Sequence, residues 1–231
     1  MEWINNTIQE IEPGEIKNRE QKEEIARKIV NKVKDGDVIG FGSGSTSYLA
    51  ILEIAKKIEE ENIKIIAVPT SFEIKALCFK LGIPTKSILE VKPDWAFDGA
   101  DEVDKNNNWL IKGRGAAMFK EKLNMVNAGI TYILVDESKF KENLNKDMPI
   151  PIEVYPEAVN SVKDALMDLG AVDCKLRKAV KKDGPVYTEN YNLILDTHFA
   201  EIYDALEEDI KSITGVIESG LFMDYPVEVL K

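Results

Sequence analysis

The stretch DVIGFGSGSTSYLAIL, residues 37–52, joins a short apolar run to an amphipathic run through a glycine-rich turn. The apolar run Asp37–Phe41 predicts a buried strand. The segment Ser45–Glu61 predicts a helix, because Leu49 and Leu52 recur at helical spacing. A strand that leads directly into a helix is the repeating unit of a parallel α/β sheet, so this stretch predicts an α/β domain.

The same alternation of strand and helix extends to both sides of this stretch. Apolar periodicity predicts helices at 20–33, 72–81 and 116–127, and strands at 64–68, 95–97, 109–111 and 131–135. We expect these elements to form a Rossmann-like parallel sheet in a large α/β domain. The predicted domain covers residues 1–146 together with 217–231, so that the end of the chain returns to the sheet.

From about residue 148 the pattern changes to that of a smaller α+β domain. Strand, helix, strand, strand, helix and strand are predicted in turn at 150–154, 156–169, 174–179, 191–197, 201–213 and 216–222. This order is the ferredoxin-like pattern. We therefore predict a second domain over residues 147–216.

The composition argues against several classes of site and partner. The chain has 231 residues and a net charge of −11, which disfavours a nucleic acid partner because phosphate backbones are bound by clustered Lys and Arg. A single histidine, His198, rules out a histidine-rich metal site and favours a carboxylate as general base. Cys78 and Cys174 match no disulfide or zinc pattern, so we expect buried, reduced thiols. Without a long apolar run, a soluble, cytoplasmic protein with no membrane partner is expected.

The glycine-rich turn, Gly40–Thr46, is a candidate phosphate site. Such a turn presents backbone N–H groups and the positive end of a helix dipole to an anion. A dinucleotide fingerprint needs a third glycine, where Ser45 stands, and an acidic residue after the next strand, where Val68–Ser71 has none. A phosphate monoester is therefore the best functional interpretation, and a tight turn with a helix N-cap is the structural alternative.

The acidic segment DGADE, residues 98–102, follows a predicted strand. Asp98 and Asp101 are therefore expected at the carboxyl end of the sheet, where open α/β folds bind ligands. A solvated acidic turn is the alternative. A calcium loop beginning at Asp104 is excluded, because Trp109 and Gly115 occupy the positions that require glycine and a bidentate acid. The run DKNNN is instead typical of a hairpin tip.

The segment IKGRGAA, residues 111–117, places Lys112 at a strand end, followed by a glycine-rich bend. Lys112 can polarise a carbonyl or bind phosphate, and the backbone N–H groups of the bend can face a developing oxyanion. A surface lysine is the alternative. Further along, the main apolar face of the predicted helix holds Ala116, Phe119, Leu123 and Val126, and Glu121 points away from it. Its neighbours on a second face, Ala117, Met118 and Met125, are also apolar, and a helix that is apolar on two sides is usually covered on two sides. The residues alone favour a surface glutamate, with a partly buried carboxylate as the alternative.

Five motifs together resemble ribose-5-phosphate isomerase type A in order and spacing. They are GSGST at 42–46, DGADE at 98–102, KGRGAA at 112–117, KEK at 120–122 and DESK at 136–139. The resemblance covers nearly the whole chain after an N-terminal extension of about fifteen residues, and it continues through the GLF at 220–222. It implies an α/β domain of the sugar-phosphate isomerase and CoA-transferase-like type with a smaller ferredoxin-like domain. It also implies a homodimer or homotetramer.

The resemblance implies interconversion of D-ribose 5-phosphate and D-ribulose 5-phosphate through an enediolate, in the non-oxidative pentose phosphate pathway. No metal and no organic cofactor are implied. Glu121 is similar to the base that moves a proton between C1 and C2, and Asp98, Asp101 and Lys112 resemble groups that assist ring opening and stabilise charge on the sugar oxygens. The implied substrate-binding positions are Ser43, Gly44, Ser45, Thr46, Gly99, Ala100, Gly113, Arg114, Gly115, Lys139 and Lys22.

The chain departs from the commonest family pattern at three positions. Arg114 stands where a third glycine is frequent, Ser43 replaces a threonine, and Phe119 replaces a small or polar residue. Two other functions stay open. An amino-sugar-phosphate deaminase on the same fold would use a histidine in ring opening, and His198 falls in the predicted small domain. A non-catalytic sugar-phosphate sensor would carry a DNA-binding helix-turn-helix, for which the acidic N-terminal extension is too short.

Overall fold

A computed structural model describes residues 14–145 and 147–231 of the chain; most of the N-terminal extension lies outside the described residues. The strands are β1 (Val38–Phe41), β2 (Ile66–Pro69), β3 (Trp95–Asp98), β4 (Glu102–Asp104), β5 (Leu110–Ile111), β6 (Thr131–Leu134), β7 (Phe140–Lys141), β8 (Ile150–Val154), β9 (Ala171–Leu176), β10 (Leu193–Phe199), β11 (Val216–Ser219), β12 (Leu221–Phe222) and β13 (Val227–Leu230). The helices are α1 (Arg19–Val30), α2 (Ser45–Glu61), α3 (Phe72–Lys80), α4 (Met118–Asn127), α5 (Val159–Asp168) and α6 (Leu206–Ser212). None of these helices is long and apolar enough to cross a bilayer.

The described chain divides into two compact units. The first unit consists of residues 14–99, 120–138 and 226–231, and the second of Ala100–Phe119 and Lys139–Tyr225. The predicted domains divide the chain at different residues, since the sequence assigned β4, β5, β7 and β12 to the large domain. These strands pair with one another in a separate sheet of the second unit, in the order β12-β5-β4-β7.

The first unit is built on the predicted parallel sheet. Its strand order is β13-β6-β3-β1-β2, and each neighbouring pair is parallel. The pairing of β13 with β6 confirms that the chain end returns to this sheet. From β1 the chain moves to β2 on one side and then to β3 on the other. The crevice between the ends of β1 and β3 is therefore the topological switch point, where open α/β folds bind ligands.

The core of the first unit fixes the positions of β1 and β3. Phe41 and Phe97, the apolar residues near the ends of these strands, are fully buried with ring centroids 5.0 Å apart. Ile25 and Ile29 of α1 pack into the same cluster. Burial of each such side chain contributes about 1.5–3 kcal/mol to the free energy of unfolding. This packing stabilises the ends of β1 and β3 next to the glycine turn.

The second unit contains the ferredoxin-like sheet that the sequence predicts. Its order is β11-β8-β10-β9 with antiparallel pairing throughout. As expected, α5 connects the central strand β8 to the outer strand β9, and α6 connects the central strand β10 to the outer strand β11. The second sheet of this unit holds the predicted hairpin. There β4 and β5 pair antiparallel, and the Asp104 carboxylate accepts the N–H groups of Asn106 and Asn107 at 2.8 and 3.0 Å.

Both cysteines are buried and free, as predicted. Burial raises the pKa of the Cys78 thiol to about 12 and also raises that of Cys174. Since the thiolate is the reactive form, neither residue is suited to nucleophilic chemistry at neutral pH.

Candidate active site

The switch point of the first unit holds a fixed carboxylate, Asp98. Its Oδ1 accepts the backbone N–H of Ser43 at 3.1 Å and that of Gly99 at 2.7 Å. Asp98 is the last residue of β3 and is buried. A carboxylate held by two backbone donors is an organised group, so the alternative of a solvated acidic turn is wrong for Asp98.

A second buried carboxylate, Glu121, contacts the same serine. The Ser43 hydroxyl donates to Glu121 Oε1 at 2.7 Å, so Ser43 is bonded to Asp98 through its N–H and to Glu121 through its side chain. Glu121 is only 6% exposed. The surface position favoured by the residues alone is therefore wrong, and the buried alternative is right. On the helix, Met125 is buried and Val126 is 58% exposed, which is the reverse of the main apolar face expected from the sequence.

Two residues with a left-handed backbone conformation precede α4 and determine where it begins. Gly113 and Ala116 have φ values of 94° and 61°, and the N–H of Ala116 donates to the Gly113 carbonyl at 3.0 Å. This turn delays the helix to Met118, two residues after the predicted start at Ala116. Glu121 consequently lies in the first turn of α4, where the helix dipole favours a negative charge.

The start of α2 is a candidate anion site. Gly44 is the N-cap, with φ 92° and ψ 173°, and no side chain caps the helix. Ser43 instead donates its hydroxyl to Glu121. The buried Lys22 on α1 brings its ammonium Nζ to within 3.0 Å of Ser45 Oγ. Backbone N–H groups, hydroxyls and one ammonium therefore converge at the first turn of α2, which suits a phosphate.

Asp136, which the sequence analysis did not single out, lies next to Lys22. Asp136 Oδ2 is 4.0 Å from Lys22 Nζ, while Oδ1 accepts the Ser138 N–H at 3.0 Å and the Asn18 side-chain amide at 3.3 Å. Burial alone would raise the pKa of Asp136, but the hydrogen bond from the Ser138 hydroxyl, the two bonds just described and Lys22 outweigh it and hold the pKa below its ordinary value. Asp136 is the first residue of the DESK motif, which was the only sequence signal for it.

In the second unit, Lys112 is held in place by its backbone. Its N–H donates to the Gly220 carbonyl at 2.9 Å, and its side chain is buried, with 3% of the residue exposed. A Cβ at Gly220 would lie 2.3 Å from the Lys112 carbonyl oxygen, so the glycine of the GLF motif is required by close backbone contact. The alternative of a surface lysine is wrong.

Asp101 belongs to the same unit and contacts the glycine bend. Asp101 Oδ2 accepts the backbone N–H of Arg114 at 3.1 Å. Arg114 and Gly115 are exposed, Gly113 is buried, and Lys139, directly before β7, is half-buried.

The predicted site residues thus form two local groups. Direct contacts within the first unit join Ser43 to Asp98 and Glu121, and Lys22 to Ser45. Gly44, Thr46 and Gly99 are immediate chain neighbours of this group. Within the second unit a contact joins Asp101 to Arg114, next to Lys112 and Gly113, and Ala100 precedes Asp101.

The last residue of DGADE, Glu102, is a fully buried carboxylate in β4. Its Oε2 accepts the Asn145 N–H at 2.9 Å, and Oε1 has no hydrogen-bond partner among the described residues. Burial raises the pKa of Glu102 against the lowering effects of the Asn145 N–H and Lys141. A charge at this position therefore costs free energy in the folded protein.

We expect Glu102→Gln to raise the free energy of unfolding at neutral pH by about 1 kcal/mol, because the amide keeps the shape without the buried charge. Stability that depends on a raised pKa is fully present below the unfolded value of about 4.3 and is lost as the pH rises through the folded value. The difference between the variant and the wild type should therefore vanish near the unfolded pKa. Urea unfolding of both proteins between about pH 4 and pH 7 measures this difference in the free energy of unfolding. A variant less stable than the wild type at neutral pH would contradict the prediction.

Two observations concern the residues that could bind a metal ion or use histidine. Among residues 14–145 and 147–231, no group of three or more His, Cys, Asp or Glu side chains is arranged to hold a metal ion. His198 lies in β10 of the ferredoxin-like sheet, where its Nδ1 is 3.1 Å from the carbonyl oxygen of Asn145.

Comparison with known proteins relates this geometry to one family. Residues 66–231 match the family model described as ribose 5-phosphate isomerase A (phosphoriboisomerase A). Ribose-5-phosphate isomerase A of Methanocaldococcus jannaschii is 44% identical over 207 residues, which cover 89% of this chain and 91% of the relative. The solved structure of ribose 5-phosphate isomerase A from that organism has a TM-score of 0.88 at 42% identity and covers 93% of this chain and 96% of its own. A D-ribose-5-phosphate isomerase solved in complex with phospho-erythronic acid has a TM-score of 0.87 at 41% identity, with 93% of this chain and 95% of the other covered.

Proposed function

The chain belongs to the ribose 5-phosphate isomerase A family, and we propose that it interconverts D-ribose 5-phosphate and D-ribulose 5-phosphate with Glu121 as the base. Members of this family are aldose-ketose isomerases of the pentose phosphate pathway. The observation that carries the assignment of the base is the bonding of Ser43 to two buried carboxylates at the switch point, Asp98 through its N–H and Glu121 through its hydroxyl.

Glu121 is suited to carry the proton between C1 and C2 of the sugar. The Ser43 hydroxyl at 2.7 Å fixes the orientation of its carboxylate, and burial keeps bulk water away from it. Because C1 and C2 are adjacent on the same face of a cis-enediol, one carboxylate can remove the proton from one carbon and return it to the other.

Asp98, Asp101 and Lys112 are proposed to open the sugar ring and stabilise charge on its oxygens. Removing a proton next to a carbonyl leaves negative charge on oxygen, and each fixed donor there lowers the barrier by about 3 kcal/mol. The buried ammonium of Lys112 can supply such a donor, and the backbone N–H groups of Gly113–Gly115 can supply others. In ring opening a carboxylate accepts the proton of the C1 hydroxyl as the bond between C1 and the ring oxygen breaks, and the released oxygen takes up a proton.

The phosphate group is proposed to bind at the first turn of α2. Ser45 and Thr46 supply hydroxyls there, while the Ser43 hydroxyl is bonded to Glu121. Lys22 supplies a positive charge 3.0 Å from Ser45 Oγ. Lys139 is proposed as a further cation for the phosphate. The relative bound to phospho-erythronic acid supports a phosphorylated sugar-like molecule as the ligand class. A metal-free reaction, a homodimeric or homotetrameric assembly and a cytoplasmic location stay predictions from the sequence.

Turnover of ribose 5-phosphate by the purified protein tests this function. We expect formation of the ketose at an unchanged rate when a metal chelator is present. In D₂O we expect deuterium at C1 of the ketose or C2 of the aldose, since the proton that Glu121 has removed can exchange with solvent before a proton is returned to the other carbon. Complete loss of turnover with chelator would contradict the metal-free reaction. Inactivity on ribose 5-phosphate with turnover of an amino sugar phosphate would favour the deaminase.

A further inference from the structure

Arg177, next to the ferredoxin-like sheet, makes hydrogen bonds to the glycine bend of the second unit. It directly follows β9, and its Nη1 donates to the carbonyl oxygens of Gly113 and Arg114, each at 3.0 Å. The other side of the guanidinium is engaged by Asp196 of β10. Nε donates to Asp196 Oδ2 at 2.9 Å, and Nη2 donates to Oδ1. One arginine therefore joins a carboxylate to two successive carbonyls.

These contacts determine which way two peptide groups of the bend face. A trans peptide is planar, with its C=O and N–H pointing in opposite directions. When Arg177 fixes the Gly113 carbonyl, it also fixes the N–H of Arg114, which donates to Asp101 Oδ2 at 3.1 Å. When Arg177 fixes the Arg114 carbonyl, the N–H of Gly115 is turned away from Arg177 in the same manner.

The sequence of the bend, Gly-Arg-Gly, does not fix its conformation, so contacts from outside the bend are needed to order it. Gly113 has φ 94°, and a glycine peptide rotates more freely than any other. Arg114 and Gly115 are exposed, so packing does not restrict them. The pair formed by Arg177 and Asp196 is itself only slightly exposed, with 15% and 23% of the two side chains accessible. It is therefore screened less than a surface ion pair.

We propose that Arg177, oriented by Asp196, is a positioning residue for the isomerase reaction, which sets the direction of the Asp101 carboxylate and of the bend that follows Lys112. This inference rests on the proposed function, because the bend and Asp101 act on the sugar oxygens in that reaction. Arginine is required, since a planar guanidinium can serve a bidentate carboxylate and two carbonyls together, whereas a lysine ammonium cannot hold this geometry.

The test compares kcat and KM for ribose 5-phosphate in Arg177→Ala, Arg177→Lys and Asp196→Asn. We expect Arg177→Ala to lower kcat by about 10- to 100-fold, since misplacement of a reacting group by an ångström has effects of this size. KM should change by less than about threefold, because the phosphate is bound elsewhere. Arg177→Lys and Asp196→Asn, which preserve side-chain volume, should show intermediate losses. Activities are normalised to the folded fraction measured by circular dichroism.

Rescue by free guanidinium separates positioning from a general structural role. Millimolar guanidinium chloride, compared with sodium chloride at equal concentration, should restore part of the kcat of Arg177→Ala and none of that of Glu121→Gln. Lys175→Ala is the matched control, because Lys175 lies near the end of β9, two residues before Arg177, in an exposed pair with Asp173, and it should keep wild-type kcat.

Several outcomes overturn the inference. They are wild-type kcat in Arg177→Ala, an equal loss in Lys175→Ala, a loss confined to KM, or a loss in folded Arg177→Ala that guanidinium does not restore. An inactive wild type would instead refute the proposed function, and the inference with it. An active wild type with an unaffected Arg177→Ala refutes the inference alone. If Arg177→Ala does not fold, wild-type kcat in both volume-preserving variants refutes it.

Discussion

We expect Glu121→Gln to lower kcat for ribose 5-phosphate by about 10³- to 10⁴-fold, since a general base can accelerate proton transfer by a factor of this order. Glutamine has the size of glutamate, and its amide oxygen can still accept the Ser43 hydroxyl bond that measures 2.7 Å in the wild type. The buried geometry is therefore kept, while the proton acceptor is lost. Because binding of the sugar does not depend on that acceptor, KM should stay within about threefold of the wild type.

A buried glutamate outside the candidate site gives the matched control. Glu153 in β8 is fully buried, and its Oε1 accepts the Thr188 hydroxyl and the Asn192 amide, each at 2.8 Å. Glu153→Gln makes the same chemical change in a similar setting and should keep wild-type kcat. In D₂O, Glu121→Gln should also fail to incorporate deuterium into the sugar. Full activity or normal deuterium exchange in Glu121→Gln would remove Glu121 as the base.

The fold could be predicted where pairing follows local pattern. Apolar runs alternating with amphipathic helices indicated the parallel sheet, and the strand and helix order indicated the ferredoxin-like sheet. The sheet of β4, β5, β7 and β12 escaped this approach. Its strands are two or three residues long, and β12 pairs with β5 across more than a hundred residues of chain. The segment of β5 was predicted as a strand, but strands this short carry too little pattern to indicate which strands they pair with.

The candidate site could be predicted only in part, for a similar reason. Motifs led to Ser43, Asp98 and Glu121, but the burial of Glu121 depends on the sheet that covers one side of α4, which a helical wheel cannot identify. Arg177 lies in a segment without a motif, and its partners at Gly113 and Arg114 are more than sixty residues away. Contacts of this kind are set by tertiary packing, so single-sequence analysis cannot find them.

Gly42→Ala is expected to be the most damaging substitution in the glycine turn. A Cβ at position 42 would lie 2.3 Å from Asp98 Cγ and 2.5 Å from Asp98 Cα. The second contact is with the backbone, so rotation of the Asp98 side chain cannot relieve it. The Gly42 N–H also donates to the Phe97 carbonyl at 2.8 Å, which ties the turn to β3. The ends of β1 and β3 would have to separate, at a cost of about 3 kcal/mol in the free energy of unfolding.

The same separation displaces the carboxylate of Asp98, so kcat should fall by about 100-fold or more even in the fraction that stays folded. Gly99→Ala is the matched control for stability, because its added Cβ would be 3.8 Å from the Ser43 carbonyl and 3.9 Å from that of Leu134, which is ordinary van der Waals contact. Urea unfolding should place Gly99→Ala within about 1 kcal/mol of the wild type. Equal stability of the two alanine variants would show that the ends of β1 and β3 can move apart freely. In that case the packing of Gly42 against Asp98 would not be what fixes the carboxylate.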